Sequence, residues 1–419
     1  MQSPGLRYAS ECALIERMII SRRQWLPWFL LLLSVVTTSA TENPAKTTYI
    51  LFVGTYTGKE SKGIYAYRFD PASSELTALG LAAETTSPSF LAIHPSGRFL
   101  YSVNEVQKFK GASSGAVSAF AIDRQTGKLS LLNEVTSHGA DPCYISFDKS
   151  GKYVLVANYT AGNVAVYPID ADGRLGEASS VLQDSGALGP NKERQEAPHS
   201  HWIEASAFNR SVYVSDLGLD RILIYRFDAT KGTLTREETS PAAAKSGSTA
   251  ASDSPSAMLA PGSGPRHAVF SANDNFMYVL GELDSTVTVF AHDSNDTFRS
   301  QQRISTLPAG FSDFNKAAEI TIHPNGKYLY TSNRGNDSIA VFSIDTRTGN
   351  LTAVDHTPSQ GRTPRNFTID PTGSLLFVAN QDTGNIVVFR INRDSGRLTP
   401  TGQVLSVPSP VCLKFIATE

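Results

Sequence analysis

Short apolar runs recur in pairs along the chain, and each pair predicts two neighbouring β-strands. A first run such as residues 90–93, which usually follows a proline, leads through a turn into a second run such as residues 99–101. The series continues with runs at 144–147 and 153–156, 202–203 and 212–214, 268–270 and 276–279, 320–322 and 328–330, and 367–369 and 375–378. Apolar runs of this length bounded by turn residues are typical of strands. The pattern therefore predicts an all-β protein.

The two ends of the chain supply the two halves of one further pair. A seventh first run, residues 411–415, has no second run after it, and residues 49–53 have no first run before them. We therefore expect the C-terminal run to be the innermost strand of a sheet whose three outer strands come from the N-terminal segment. This arrangement closes the sheets into a ring and leaves no open sheet edge.

The repeat length indicates the architecture. The equivalent first-run positions are Ser89, Cys143, His201, Arg266, Ala318, Arg365 and Val411, at spacings of 54, 58, 65, 52, 47 and 46 residues. Repeats of this size built from several short strands are typical of β-propellers, in which each blade is a four-stranded antiparallel sheet. Segments with the pattern Asp-x-x-Thr-Gly-x-Leu, such as residues 123–129 and 345–351, are predicted to connect the third and fourth strands. The sequence thus predicts a seven-bladed β-propeller.

The composition is that of an ordinary globular protein. The chain has 419 residues, of which 41% are hydrophobic and 18% charged, and its formal net charge is −2. A strongly basic stripe is missing, so we predict that the protein does not bind nucleic acid. We also expect it to be a monomer.

The N-terminus predicts an export signal. Residues 25–36 are apolar, follow Arg22 and Arg23, and precede Thr-Ser-Ala at 38–40, which is the order of a secretory leader. The apolar stretch is too short to span a bilayer comfortably. We expect Met18 to be the true start, residues 1–40 to be cleaved after Ala40, and residues 41–419 to form one propeller domain. The product would be periplasmic or secreted and not membrane-inserted; without a functional leader it would stay in the cytoplasm.

Cysteine positions predict no disulfide. Cys12 falls in or before the leader, so the mature protein would keep only Cys143 and Cys412. The repeat register assigns these two to inner strands of blades that are not neighbours. We expect both to be buried as small hydrophobic residues.

Three segments exceed the regular blade length: residues 183–198, 233–265 and 308–318. The second is rich in Ser, Ala, Pro and Gly and is predicted to be a flexible surface excursion. The first and third lead directly into inner strands. They are therefore predicted to rim the mouth of the central channel, where functional loops are expected.

Residues at equivalent inner positions of a propeller form rings around its channel. The ring defined above contains three polar members with long or ionisable side chains: His201, Arg266 and Arg365. A second ring, formed by the residue just after each second run, consists of Tyr56, Glu105, Tyr159, Leu217, Glu282, Arg334 and Gln381. Both rings are predicted to lie towards one end of the channel.

Four of these residues come from three consecutive blades and should face a common space: His201, Arg266, Glu282 and Arg334. Arginines suit the carboxylate or phosphate of an anionic substrate, and the imidazole or carboxylate can move a proton. A purely structural alternative also fits the pattern. In that alternative Arg266 and Glu282 form a buried pair between neighbouring strands, and His201 is hydrogen-bonded in the core.

No metal or other cofactor is predicted. His199 and His201 alternate along one strand and have the spacing of a chelating pair, but a third ligand with convincing spacing is missing and the nearby arginines would repel a cation. The glycines fall in blade turns, and no Gly-rich loop opens a helix to cradle a nucleotide.

Three motifs resemble the seven-bladed propeller lactonase family. They are Gly-Pro-Asn-Lys-Glu-Arg-Gln-Glu-Ala-Pro-His-Ser-His at 189–201, Gly-Pro-Arg-His at 264–267 with Gly-Glu-Leu at 281–283, and Ser-Asn-Arg at 332–334. The family includes propeller-type 6-phosphogluconolactonases and fungal carboxymuconate lactonizing enzymes. Its proposed active-site groups, one His, two Arg and one Glu acting without a metal, match His201, Arg266, Arg334 and Glu282. The resemblance covers essentially residues 49–416.

Three functions are to be distinguished, and the resemblance implies the first two. The leading one is metal-independent hydrolysis of a sugar lactone, with Glu282 or His201 as general base and Arg266 and Arg334 holding the oxyanion or an anionic substituent. Further substrate contacts are expected from Glu105, His199, Arg365 and Gln381. The alternatives are a lactonizing cycloisomerase that closes a muconate-type diacid, and a non-catalytic exported propeller that binds a protein or carbohydrate.

Overall fold

The protein consists of seven antiparallel sheets arranged in a ring. The computed structural model describes residues 47–236, 256–293 and 296–419, so the predictions about residues 1–40 and about residues 237–255 of the surface excursion lie outside the described residues. The strands are β1 (Tyr49–Thr55), β2 (Gly63–Asp70), β3 (Glu75–Glu84), β4 (Leu91–Ile93), β5 (Phe99–Asn104), β6 (Ala116–Ile122), β7 (Leu129–Thr136), β8 (Pro142–Phe147), β9 (Tyr153–Asn158), β10 (Asn163–Pro168), β11 (Ser180–Gln183), β12 (Ser200–Ala205), β13 (Ser211–Asp216), β14 (Arg221–Asp228), β15 (Thr233–Arg236), β16 (Ser256–Met258), β17 (Pro265–Phe270), β18 (Phe276–Gly281), β19 (Thr286–His292), β20 (Phe298–Ser305), β21 (Lys316–Ile322), β22 (Tyr328–Arg334), β23 (Ser338–Ile344), β24 (Leu351–Pro358), β25 (Pro364–Ile369), β26 (Leu375–Asn380), β27 (Asn385–Ile391), β28 (Leu398–Ser406) and β29 (Pro410–Ala417).

Six of the seven blades are meanders of strands that follow one another in sequence. The six meanders are β4–β7, β8–β11, β12–β15, β17–β20, β21–β24 and β25–β28. The first strands of neighbouring blades contact one another all the way round, from β4 through β8, β12, β17, β21 and β25 to β29 and back to β4. The prediction of a seven-bladed β-propeller is therefore confirmed.

The surface excursion interrupts one outer strand. Both β15 and β16 pair with β14, β15 along residues 225–228 and β16 along residues 221–223. The two short strands thus share the outer edge that a single fourth strand occupies in the other blades.

The seventh blade joins the two ends of the chain. Its strand order is β29-β1-β2-β3, with Tyr49 opposite Ala417 and Gly54 opposite Cys412. The predicted closure, with three N-terminal strands outside one C-terminal inner strand, is confirmed. Apolar packing stabilises the joint: Leu51, Val53 and Leu413 share a cluster with Phe377 of the preceding blade. Burying each such side chain contributes roughly 1.5–3 kcal/mol.

The inner strands share a β-bulge close to their starts. In six blades the strand pairing skips the first-ring residue, namely Cys143, His201, Arg266, Ala318, Arg365 or Val411. In two of them the next residue, His267 or Glu319, is skipped as well. A bulge leaves its residue out of the hydrogen-bond ladder and redirects the side chain. The positions that the repeat register aligned are thus the bulge positions that point side chains into the channel.

Two smaller predictions are also confirmed. The Asp123 carboxylate accepts hydrogen bonds from the backbone N–H groups of Gln125 and Thr126, which forms the turn between β6 and β7. Cys143 and Cys412 are buried and free.

Within residues 47–236, 256–293 and 296–419, no helix is long and apolar enough to cross a membrane.

Candidate active site

A single carboxylate, that of Glu282, binds three guanidinium groups. Its Oε1 lies 2.8 Å from Nη2 of Arg194, and its Oε2 lies 2.9 Å from Nη2 of Arg334 and 3.2 Å from Nε of Arg266. The Nε–H of Arg266 is not aligned for a hydrogen bond, so that contact is an ion pair only. Glu282 and Arg266 are each only 3% exposed. The predicted grouping of Arg266, Glu282 and Arg334 is present, and so is the buried Arg266–Glu282 pair of the structural alternative.

These residues converge because strand ends from three blades meet at one channel mouth. Arg266 occupies the bulge at the start of β17, and Glu282 follows the end of β18, the strand paired with β17. The backbone N–H of Glu282 donates to the carbonyl of Gly264 at 2.8 Å. Arg334 ends β22 in the next blade, and Arg194 precedes β12 in the previous blade.

The cluster keeps Glu282 ionised. Burial raises the pKa of this carboxyl, but Arg334, Arg266, His201 and Arg194 outweigh burial and hold it well below its usual range. Burial lowers the pKa of Arg266 to about 10, with Arg334 and Arg365 adding to the effect. Arg266 therefore still carries its charge at neutral pH. A carboxylate so strongly stabilised by cations is a weak base.

His201 lies beside this cluster and is neutral. It is buried, and burial together with Arg266 and His267 holds its pKa well below the usual value for histidine. Its Nδ1 is 3.7 Å from Sγ of Cys143, and its ring meets Tyr159 edge to face at 5.4 Å. Across the described parts of the chain, Nε2 of His201 has no hydrogen-bond partner. An unprotonated imidazole with a free nitrogen can accept a proton.

Two of the predicted binding residues form a second cluster around Tyr56. The Tyr56 hydroxyl donates to the Glu105 carboxylate, whose oxygens both lie 2.9 Å away, and the Arg365 guanidinium lies over the Tyr56 ring at 5.3 Å. Burial raises the pKa of Tyr56, partly opposed by Arg365, so the phenol stays protonated. Gln381, which follows β26, is half-buried, and its backbone N–H donates to the carbonyl of Thr363.

His199 supports Tyr159. The two rings stack at 4.5 Å with an interplanar angle of 11°. One ring nitrogen lies 3.0 Å from the Tyr159 carbonyl, and the other lies 3.2 Å from the Glu196 carboxylate. Because both nitrogens are engaged, His199 positions Tyr159, whose hydroxyl in turn accepts from Arg194 at 2.9 Å.

Repeat-based reasoning missed Arg194 and Lys316. Both lie in long segments predicted to rim the channel, 183–198 and 308–318, but neither occupies a ring position. The sequence signal for Lys316 was the extra length of its segment, and Arg194 also lies within the motif at 189–201 described above. Arg194 closes the cluster by binding both Glu282 and Tyr159.

A hydrogen-bonded layer of side chains lies next to the first ring. Glu319 accepts from Nδ1 of His267 at 2.9 Å and from Nδ2 of Asn366 at 2.5 Å, and Oδ1 of Asn366 accepts from the backbone N–H of Leu413 at 3.0 Å. The His267 ring contacts that of Tyr144, on another side of the channel, at 5.0 Å. Side chains from several blades thus form a floor under His201.

The described residues contain no group of three or more His, Cys, Asp and Glu side chains placed to hold a metal ion. The site is instead surrounded by guanidinium groups, which offer no lone pair to a metal.

The comparisons with known proteins agree with this architecture. Residues 50–415 match the family described as "Lactonase, 7-bladed beta-propeller". The 6-phosphogluconolactonase of Bacillus subtilis strain 168 is 36% identical over 371 residues, which cover 88% of this chain and 99% of that protein.

Solved structures include two close matches. The Pseudomonas aeruginosa periplasmic gluconolactonase superposes with a TM-score of 0.80 at 33% identity, over 89% of this chain and all (100%) of that one. A putative 6-phosphogluconolactonase from Bacteroides fragilis has a TM-score of 0.79 at 36% identity, over 89% of this chain and 99% of that one.

Proposed function

Because the chain belongs to the seven-bladed β-propeller lactonase family, we propose that it hydrolyses a sugar lactone, with 6-phosphogluconolactone as the leading substrate. It is a 6-phosphogluconolactonase-like lactonase, a carboxylic ester hydrolase. The observation that carries the proposal is the neutral His201 beside an arginine cluster ordered by one ionised carboxylate.

In the proposed mechanism the arginines stabilise the charge that develops on the lactone carbonyl. Water attacks the carbonyl carbon, and Nε2 of His201 accepts the proton from that water. Arg266 and Arg334 hold the resulting oxyanion. The ring C–O bond then breaks, and the protonated His201 returns the proton to the departing alkoxide.

Glu282 is assigned to positioning. A carboxylate held by Arg194, Arg266 and Arg334 is too weakly basic to be the better proton acceptor. It fixes the orientation of the guanidinium groups before substrate arrives, and such preorganisation is a major source of catalysis. Between the two candidate bases, the electrostatics therefore favour His201.

We propose that the reaction needs no metal ion, since the groups around Glu282 are cationic and would repel one. The remaining predicted residues, Glu105, Arg365 and Gln381, are proposed to contact the substrate from the blades across the channel.

We also propose that residues 1–40 export the protein. The charged, apolar and small-residue order of this segment supports the proposal, and a similar Pseudomonas protein is described as periplasmic. A fusion of residues 1–40 to a reporter that is active only outside the cytoplasm tests it, and an inactive fusion would contradict it.

The experiment that tests the function follows acid release by residues 41–419 from 6-phosphogluconolactone and gluconolactone, with and without a chelator. Glu282→Gln should lose most activity, whereas Glu75→Gln on the exposed outer strand β3 should lose none. Circular dichroism and melting curves establish that the variants fold. A muconate-type diacid serves as control substrate. Absence of lactone hydrolysis, or turnover abolished by the chelator, would contradict the corresponding proposal.

A further inference from the structure

A cavity of about 530 Å³ opens beside the Glu282 cluster, between the two rim segments. Its walls include Arg194 from segment 183–198 and Phe311, Phe314 and Lys316 from segment 308–318. Its size lies within the usual range for small-molecule sites. The cavity shares Arg194 with the proposed active site and therefore adjoins it.

Lys316 places a further cation beside Arg334. It begins β21 directly opposite Arg334 of β22, and like charges directly opposite one another destabilise a sheet. Arg334 has Glu282 as its counterion. By contrast, in the part of the chain that the structure describes, no carboxylate lies within ion-pair distance of Nζ of Lys316, which lies 5.3 Å from the centre of the Phe314 ring. Burial, Arg194, Arg334 and Arg365 lower the pKa of Lys316, and the Glu282 carboxylate partly opposes them.

The charges at the channel mouth also favour the binding of an anion. Arg194, Arg266 and Arg334 share the single carboxylate of Glu282, and Lys316 adds a further cation. This excess of cations around one carboxylate attracts ligands of the opposite sign.

Among the described residues, the acidic side chains that also line the cavity do not form an ion pair with Lys316. Asp284 is bound by Arg303 at 2.8 Å and accepts a hydrogen bond from Ser263. Glu193 and Asp313 are exposed to solvent, where charges are screened.

The following proposal rests on the proposed lactonase function. We propose that Lys316 and Arg194 form a subsite for the phosphate group, which lies at the end of the substrate distant from the lactone carbonyl. Lysine binds phosphate as a compact point charge, and arginine adds a directional fork. The side chains of Phe311 and Phe314 supply apolar walls for the carbon skeleton that joins the two ends of the substrate. The subsite is thus a determinant of specificity between phosphorylated and unphosphorylated lactones.

The alternative explanation is that Lys316 is an ordinary surface lysine that keeps its charge in water. The two explanations differ in what the loss of the charge does. A substrate subsite changes the preference between two lactones, whereas a solvated lysine changes neither rate.

The test is Lys316→Met in the full chain, with kcat and KM measured for 6-phosphogluconolactone and gluconolactone. We expect kcat/KM for the phosphorylated lactone to fall roughly 10- to 100-fold, mainly through KM, because the lost contact binds substrate and transition state alike. The value for gluconolactone should stay within about twofold. Lys316→Arg should recover most of the loss. Lys108→Met, which removes an exposed lysine outside the cavity, is the matched control.

Equal effects on both lactones, or no effect on either, would overturn the proposal. A second measurement separates it from the lactonase function: thermal unfolding with and without inorganic phosphate. Phosphate should raise the melting temperature of the unaltered protein more than that of Lys316→Met, since a ligand stabilises the state that binds it. If neither lactone is turned over but this difference is found, the anion site stands and the lactonase proposal fails. Equal phosphate stabilisation of both proteins would overturn the anion site.

Discussion

Arg194 and Glu282 lie 88 residues apart in sequence and meet at 2.8 Å in the channel mouth. Arg194 belongs to a segment outside the blade repeat, whereas Glu282 follows a blade strand. Segment 183–198 therefore supplies one residue of a site whose other charged residues lie in or directly after blade strands. Removing either partner takes a counterion from the other charged group, which stays partly or wholly buried. Burying a charge with less compensation is costly.

Replacement of Arg194 by Gln should lower kcat/KM about 10- to 100-fold, because loss of a charged hydrogen bond in an active site costs a few kcal/mol. The Glu282 carboxylate would lose one of its three cations, and Tyr159 would lose its donor. Kinetics on both lactones measure the effect. Lys192→Gln, an exposed neighbour in the same segment, is the control and should behave like the unaltered protein. Unchanged activity in Arg194→Gln would exclude this role.

The pH dependence of kcat/KM should report the state of His201. The neutral imidazole is the active form, and its pKa is held well below the usual histidine value by burial, Arg266 and His267. Activity should therefore stay level as the pH falls through the usual histidine range, about 6.5, and be lost only at more acidic pH. His201→Gln should reduce kcat roughly 10²- to 10⁴-fold. An acid limb at or above the usual histidine pKa would contradict the assignment.

His267 should make the fold less stable in acid. Its pKa is lowered to about 4, chiefly by burial and further by Arg266, and these effects outweigh the opposing effect of the Glu319 carboxylate. As the pH falls below about 6.5, His267 takes up a proton in the unfolded chain but not in the folded chain. The free energy of unfolding therefore declines until about pH 4. The full decline in the free energy of unfolding that is attributable to His267 is on the order of 3 kcal/mol.

Denaturant unfolding at pH 7 and pH 4.5 measures this difference. In His267→Gln the loss of stability between these pH values should be smaller than in the unaltered protein. His138→Asn is the control, because His138 is exposed and its positive φ of 57° is one that asparagine tolerates. An equal acid loss in all three proteins would rule out His267 as the source.

Gly218→Ala should impair the site more than the fold. A Cβ at this position would lie 1.8 Å from the carbonyl oxygen of Ala197, and Gly218 also accepts a hydrogen bond from the backbone N–H of Gly189. The segment that carries Arg194 would have to move, so kcat/KM should fall several-fold or more, since small misplacements of catalytic groups are costly.

Gly58→Ala is the matched control, because a Cβ there meets nothing within 4 Å. Kinetics and melting temperature of the two variants make the comparison. If both variants keep full activity, the position of segment 183–198 does not control the site.

The periodicity of apolar runs was sufficient to predict seven blades, their closure through β29 and β1, and the ring of bulge residues. This succeeded because strand alternation and repeat length are local properties of the chain. The same register brought His201, Arg266, Glu282 and Arg334 together. It did not reveal that Glu282 binds all three guanidinium groups, since side-chain distances depend on how neighbouring blades pack.

The sequence by itself thus determined the propeller and the identity of the ring residues at its channel mouth. Only the tertiary structure decided what each of these residues can do. Neighbouring cations keep Glu282 ionised against the effect of burial, whereas burial and nearby cations keep His201 neutral. The rim segments bring Arg194 and Lys316 to this cluster, although neither residue occupies a ring position of the repeat. Protonation states and charge balance arise from desolvation and from through-space interactions between distant parts of the chain, which no local pattern encodes.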